Sequence, residues 1–355
     1  MGTNGTRSVV ESVRESIDGG VGLAADCYRN PDFFDLELER VLRPAWHPVA
    51  RWDALPEVGD YEAIELFGEP LVIVRGEDRA LRVFSNVCPH RAHRVAKESG
   101  NTKTLVCPYH RWAFALDGQL RAAPLMKDQE GFDAKACGLH ELRTESWQGF
   151  LFASLDPHPS PLASELAAFG ERLDSEGLSD MVGIGVLEFD SPWNWKVMVD
   201  NFMESYHHLG IHAESLQKTN PAKGTYGADV EGPYSILENP SVGDAPSLLV
   251  AQVFPTLLFS VVENTQFGVW YEMRIDRHDH FQLRIHALAS PELAATEGAP
   301  DALLANLMEI HQEDIPACQE VQRGLGSRLW KPGPLSEKEI CLTRFHTYLA
   351  DRLGA

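Results

Sequence analysis

Two cysteine–histidine pairs lie in the first third of the chain, Cys88-Pro89-His90 and Cys107-Pro108-Tyr109-His110, and sixteen residues (91–106) separate them. Each pair follows a strand-like run, so two short loops can close on one metal centre from opposite sides. Two thiolates suit a sulfide-bridged iron. Two neutral imidazoles suit the second iron of a [2Fe–2S] unit and raise its potential above that of an all-cysteine cluster. Zinc is the competing reading. A zinc finger, however, usually takes its cysteines from one segment and its histidines from another, whereas each segment here offers one of each.

A second constellation occupies Trp193 to His212, where polar residues stand at positions a helix should fill with apolar ones. Asn201, Glu204 and His207 or His208 recur at three- and four-residue spacing, which predicts one shared helical face. Buried polar groups need partners, and a metal ion is one. His207 and His212 are five residues apart, about 140° around a continuous helix. Both can bind one ion only if the helix ends between them, and Gly210 is the expected terminator. The bland alternative is a capped helix with solvated histidines.

Short strands separated by turn residues are expected around the first constellation: Tyr61 to Leu66, Pro70 to Arg75, Leu81 to Phe84 and Gly149 to Leu155. The proline-rich stretch up to Pro161 marks a domain boundary. Before Trp46 the chain reads as helix, with Asn30-Pro31-Asp32 starting an amphipathic segment through Leu42. Beyond Leu162 helices alternate with longer strands. Lys218 to Ser247 reads as a polar, Gly/Pro-rich loop, long enough to be a lid. Runs Leu248–Phe254, Thr256–Val262, Phe267–Arg277 and His280–Ala289 predict an antiparallel sheet, and 301–324 predicts a helix. No internal repeat or low-complexity tract is visible.

At 355 residues two domains are expected, and an apolar content of 44% fits a globular protein. No apolar run approaches a membrane span. The N-terminus lacks a signal-peptide stretch, and its Met-Gly-Thr-Asn-Gly-Thr start matches a myristoylation pattern only in outline, so a cytoplasmic location is expected. Cys27, Cys137, Cys318 and Cys341 are scattered without a disulfide framework and read as small buried hydrophobes. The formal charge of −21 disfavours nucleic-acid binding.

Taken together, the chain resembles the catalytic α subunit of Rieske non-heme iron oxygenases, the aromatic-ring-hydroxylating oxygenase family. The resemblance runs from about Tyr28 to Arg344. It rests on Cys88, His90, Cys107 and His110, on Asn194-Trp195-Lys196 and Asp200-Asn201, on Glu204-x-x-His207-x4-His212, and on His311-Gln312-Glu313-Asp314. It implies an α+β fold: an all-β Rieske [2Fe–2S] domain (42–156) and a helix-grip, START/SRPBCC-like catalytic domain with an antiparallel sheet (157–355). An N-terminal helical segment (1–41) would pack on the latter. His207, His212 and Asp314 would hold a mononuclear Fe(II) as a two-histidine, one-carboxylate triad. Glu204 and Asn201 would serve catalysis, with Glu204 linking His207 to His110 of a neighbouring subunit. Glutamate at that position resembles the branch acting on quaternary ammonium or demethylation substrates. Three departures stand out: Arg111 and Ala92 occupy loop positions where the family commonly has glycine, and His208 and His93 have no family role and read as supporting histidines.

The resemblance further implies a terminal oxygenase that uses O2 and electrons from a separate NAD(P)H-dependent reductase or ferredoxin to hydroxylate or demethylate a small organic substrate. No convincing G-x-G-x-x-G follows a strand, so the nicotinamide site belongs to that partner. A homotrimer is expected, because head-to-tail contacts between cluster and iron close into a ring. Phe202, Phe254, Leu257, Phe259, Phe267 and Trp270 are the candidate pocket residues. They suit an aromatic or alicyclic skeleton, although an ammonium cage uses the same residue types. Mono- and dihydroxylation remain open. The rivals are a Rieske electron-transfer and ligand-binding protein without oxygenase chemistry, and a zinc-stabilised structural protein.

Overall fold

Apolar runs broken by turn residues build the middle of the first half from short strands. In chain order these are β1 (His47–Arg51), β2 (Asp60–Leu66), β3 (Glu69–Arg75), β4 (Leu81–Ser85), β5 (Ser99–Asn101), β6 (Leu105–Val106), β7 (Ala113–Phe114), β8 (Leu120–Ala122), β9 (Arg143–Trp147) and β10 (Phe150–Ser154). The computed structural model describes residues 2–355, with side chains from Val9 onward. Residues Pro48–Ser160 form one compact unit; Met1–His47 and Pro161–Ala355 form the other.

In the strand-built unit the sheets run β4-β3-β2-β5, β6-β7-β8 and β1-β10-β9. The uninterrupted apolar run of β3 is explained by burial on both faces. Val72 and Val74 pack with Phe84, Phe114 and Leu116 around Cys88 and Cys107. Leu71 and Ile73 pack on the opposite side with Val49, Leu151 and Ala153. β2 and β3 are joined through Phe67 and Gly68, both at positive φ (50° and 84°), the two-residue turn whose twist matches the strands.

In the second unit the helices that frame the site are α1 (Gly2–Asp18), α2 (Pro31–Glu37), α3 (Trp195–Phe202), α4 (Ala299–Gly324) and α5 (Ile340–Leu353), with shorter helical segments between them. The Asn30 side chain caps α2, accepting from the N–H groups of Asp32 and Phe33. The strands are β11 (Val182–Ser191), β12 (Tyr226–Gly227), β13 (Tyr234–Asn239), β14 (Leu248–Val253), β15 (Leu257–Val262), β16 (Phe267–Arg277) and β17 (His280–Ala289). They form one seven-stranded antiparallel sheet in the order β11-β17-β16-β15-β14-β13-β12. Helix α4 packs on α3 and β11, and α5 packs on α1 and β13.

One expectation fails here. The stretch 218–247 is no structureless lid, because it supplies β12 and β13, and β13 pairs along its length with β14. Its apolar positions are few but buried by that pairing, whereas the polar flanks dominate the local composition.

Candidate metal centres and active-site cavity

The two cysteine–histidine loops have the same backbone design. In the first, Cys88 N–H donates to the His93 carbonyl (2.9 Å) and Ala92 N–H to the Cys88 carbonyl (2.9 Å). In the second, Cys107 N–H donates to Trp112 (2.8 Å) and Arg111 N–H to Cys107 (3.0 Å). Ala92 and Arg111 sit at φ 56° and 62°. These are left-handed positions that glycine adopts freely and other residues hold at a cost of roughly 1–2 kcal/mol. The departures from glycine therefore leave the loop conformation intact.

Both cysteines are buried and neither forms a disulfide. The His90 and His110 rings meet edge-on at 4.5 Å, and His90 stacks on Trp112 at 4.8 Å. Burial raises the Cys88 thiol, and the Cys107 thiol within hydrogen-bonding reach raises it further. His90 Nδ1 is buried without a hydrogen-bond partner. Adjacent thiols and an orphaned ring nitrogen are what a [2Fe–2S] cluster would satisfy.

Asn194 caps α3 by accepting from Lys196 N–H (2.9 Å), while its amide donates to the carbonyls of Tyr28 (2.9 Å) and His278 (2.6 Å). Lys196 pairs with Glu37 at 2.8 Å, both side chains fully buried. Asp200 accepts from the Tyr28 hydroxyl (2.6 Å) and meets His346 Nε2 at 3.2 Å. These motif residues anchor the helix rather than touch the cavity.

The helix ends at Phe202, not at Gly210. The shared helical face expected for Asn201, Glu204 and His207 does not exist, because Glu204 turns the chain. Its carboxylate accepts from the N–H groups of Tyr206 and His207, and a 3-10 turn, Tyr206–Leu209, follows. The local hydrogen bonds of an acidic side chain compete with helix continuation there.

That turn brings His207 and His212 onto Asp314 of α4. One donor atom from each of the three lies within 4.8 Å of the others. His212 Nε2 is 3.1 Å and His207 Nε2 3.7 Å from Asp314 Oδ1. The far side of each ring is fixed: His207 Nδ1–H donates to Glu204 (2.6 Å) and His212 Nδ1–H to Glu313 (2.6 Å). Glu313 also accepts from the Ser215 hydroxyl (2.5 Å), and the Asn201 amide donates to Asp314 (3.1 Å). Burial alone would raise the Asp314 carboxyl, but the His212 hydrogen bond and the neighbouring imidazoles hold it below its ordinary value. Burial opposes charge on His212, yet Asp314 and Glu313 push it up. Three carboxylates around two imidazoles call for positive charge at the centre, and a divalent ion on the Nε2 side answers that need. The sequence did not single out Glu313 as His212's support, although it stands next to Asp314.

Beside this cluster opens a cavity of about 530 Å³. Phe202 and Phe267 line it, as expected, with Tyr271, Val250, Ser260 and Val269. Phe254, Leu257, Phe259 and Trp270 do not. Strand alternation sends Leu257, Phe259 and Trp270 to the other face of the sheet, where Phe259 stacks on Phe169 and Trp270 on His286. Phe254 packs against Tyr348 and Phe345. Glu204, Glu214, Glu309 and Asp314 border the cavity, and no lysine or arginine does among the described residues. His208 borders it too, with burial depressing its ring to about 4. His311 is buried against Phe189 and depressed to about 4, with neither ring nitrogen bonded. His93 bonds the Arg94 carbonyl beside the first loop (2.6 Å).

Residues 45–141 match the Rieske [2Fe-2S] domain, and 178–248 with 232–355 match the ring hydroxylating alpha subunit catalytic domain. The carnitine monooxygenase oxygenase subunit of Acinetobacter baumannii is 34% identical over 316 residues, 85% of this chain and 84% of that protein. The anthranilate 1,2-dioxygenase large subunit of Burkholderia cepacia is 28% identical over 359 residues, covering 86% and 84%. The solved structure of a quaternary ammonium Rieske monooxygenase superposes with a TM-score of 0.85 at 26% identity, covering 94% and 95%.

The chain belongs to the Rieske non-heme iron oxygenase α subunits. It is a terminal oxygenase: with a [2Fe–2S] cluster and mononuclear iron it uses O2 and electrons from a separate partner to oxidise a small organic substrate. No helix among the described residues is long and apolar enough to cross a membrane.

Proposed function

We propose that this oxygenase acts on a small cationic amine, hydroxylating a carbon bonded to its nitrogen. The single observation that carries this reading is the cavity wall: Phe202, Phe267 and Tyr271 with Glu204, Glu214 and Glu309, and no lysine or arginine among the described residues. Aromatic faces and carboxylates attract an ammonium. A carboxylate-bearing substrate would find no lysine or arginine among the described residues to pair with, and Glu214 and Glu309 would oppose its charge.

In this reading His207, His212 and Asp314 hold the iron, and Cys88, His90, Cys107 and His110 hold the cluster. When bound, the iron supplies O2 activation beside the substrate and the cluster supplies electrons. Asn201 restrains Asp314, and Glu204 orients His207. Glu204 also has the role of meeting His110 of a neighbouring subunit, within a homotrimer. We assign 42–156 to the Rieske domain and 157–355 to the catalytic domain, with 1–41 packed on the latter; the packing of α1 on α5 supports that placement. Six cysteines without a disulfide suit the cytoplasm.

The test is coupled turnover with a reductase, comparing choline with glycine betaine and anthranilate. Oxygen uptake matched by product should favour the carboxylate-free cation by at least about tenfold in kcat/KM, the value of one missing charge partner. Preference for either carboxylate would overturn the reading.

A further inference from the structure

The turn that carries the iron-binding histidines carries a third imidazole with no assigned role. His208 is 5% exposed and packs against both, with ring centroids 5.2 Å from His207 and 5.5 Å from His212. Its Nδ1 stands 2.9 Å from the Asn220 carbonyl. A carbonyl has no proton to give, so Nδ1 carries the hydrogen and donates it. Asn220 is itself anchored, its amide donating to the carbonyls of Asn239 (3.0 Å) and Pro246 (3.2 Å). The ring is therefore held in one orientation and one tautomer.

Its other nitrogen, Nε2, makes no hydrogen bond among the described residues, and the ring borders the cavity. The two flanking imidazoles cannot offer the same service. Each has its Nδ1 committed to a carboxylate and its Nε2 turned toward Asp314. His208 is the imidazole whose free end is left for a molecule in the cavity. We infer that His208 is a substrate-positioning residue whose Nε2 accepts a hydrogen bond from a hydroxyl or N–H group of the substrate. This rests on the cavity being the substrate site and gives the proposed amine a second polar handle. A site built around such an acceptor rejects an analogue lacking the donor, because the buried nitrogen is then left unpaired.

Two variants separate positioning from mere support. In His208→Asn the side-chain amide reproduces the Nδ1–H donor to Asn220 and removes the cavity nitrogen. In His208→Gln the donor is lost, while an amide oxygen replaces Nε2. Binding is measured by calorimetry on the iron-loaded, cluster-containing protein without reductant, using two matched pairs: choline with its O-methyl ether, and benzyl alcohol with benzyl methyl ether. Iron content and the visible spectrum are recorded for each variant.

The wild type should favour the hydroxyl member of a pair by at least about tenfold. His208→Asn should bring the two members within about twofold at unchanged iron content, and His208→Gln should keep the preference. A preference retained by His208→Asn, an equal loss of both members, or loss of iron from His208→Asn overturns the inference in favour of a structural role. Binding of the benzyl pair alone contradicts the cationic substrate but still reads out His208. Binding of neither pair by the wild type overturns both.

Discussion

An imidazole binds a metal through one nitrogen only when its other nitrogen is told where to put its proton, and here a carboxylate does so for each ring. Glu204 and Glu313 accept from the Nδ1–H groups of His207 and His212, which leaves both Nε2 lone pairs facing Asp314. Glu313→Gln should therefore weaken iron binding by roughly 10–100-fold, measured as retention against a chelator; undiminished retention would show that Glu313 does not orient His212. Asp314→Ala should abolish turnover while the visible spectrum of the cluster persists. Residue types and spacing singled out Cys88, His90, Cys107, His110, His207 and His212 from sequence, and the family resemblance pointed to Asp314. Glu313 was not singled out, because a carboxylate beside a presumed ligand has no spacing rule that marks it as a partner of a histidine 101 positions away.

Strand alternation decides which side chains see the cavity, and it operates below the resolution of composition. On β15 Ser260 faces the cavity and Phe259 the core behind the sheet. Ser260→Phe should reduce substrate binding by an order of magnitude or more with little change in melting temperature. Phe259→Ala should leave binding largely unaltered and cost about 3–5 kcal/mol of stability, read from denaturant unfolding. Equal effects of the two on binding would refute the assignment of faces. The strand runs themselves were readable, and most of the expected spans fall within a residue or two of the observed ones. The register that sets inside from outside was not, because β14, β15 and β16 are apolar on both faces and period-two contrast disappears. The helix end at Phe202 was missed for a local reason: Glu204 captures backbone N–H groups that a continuing helix would have used.

At the scale of the whole molecule, the N-terminal segment is tied to the helix before the turn that bears His207 and His212 through buried polar contacts. The Glu37–Lys196 pair is fully enclosed, with the Tyr28, Phe33 and Trp195 rings around the ammonium. Glu37→Gln leaves a buried charge unpaired and should cost about 3–5 kcal/mol in denaturant unfolding; a neutral result would mean that Lys196 finds water or another partner. His47 is enclosed between Thr256 and the Leu42 carbonyl, and burial depresses it to about 4. The unfolded chain takes up that proton first. The contribution of His47 to stability is therefore full above about pH 6.5 and is lost as pH drops towards 4, on the order of 3 kcal/mol for this group. His47→Gln should flatten the melting temperature over that range relative to the wild type, and a parallel profile would assign the acid sensitivity elsewhere. The central claim is that one chain carries both metal centres on the named residues. Its most direct test is iron and acid-labile sulfide per chain, with the visible spectrum, in anaerobically purified wild type and Asp314→Ala. About three iron and two sulfide in the wild type, falling to about two iron with the spectrum unchanged in the variant, is the predicted result. Zinc without sulfide, or the same iron content in both proteins, would contradict it.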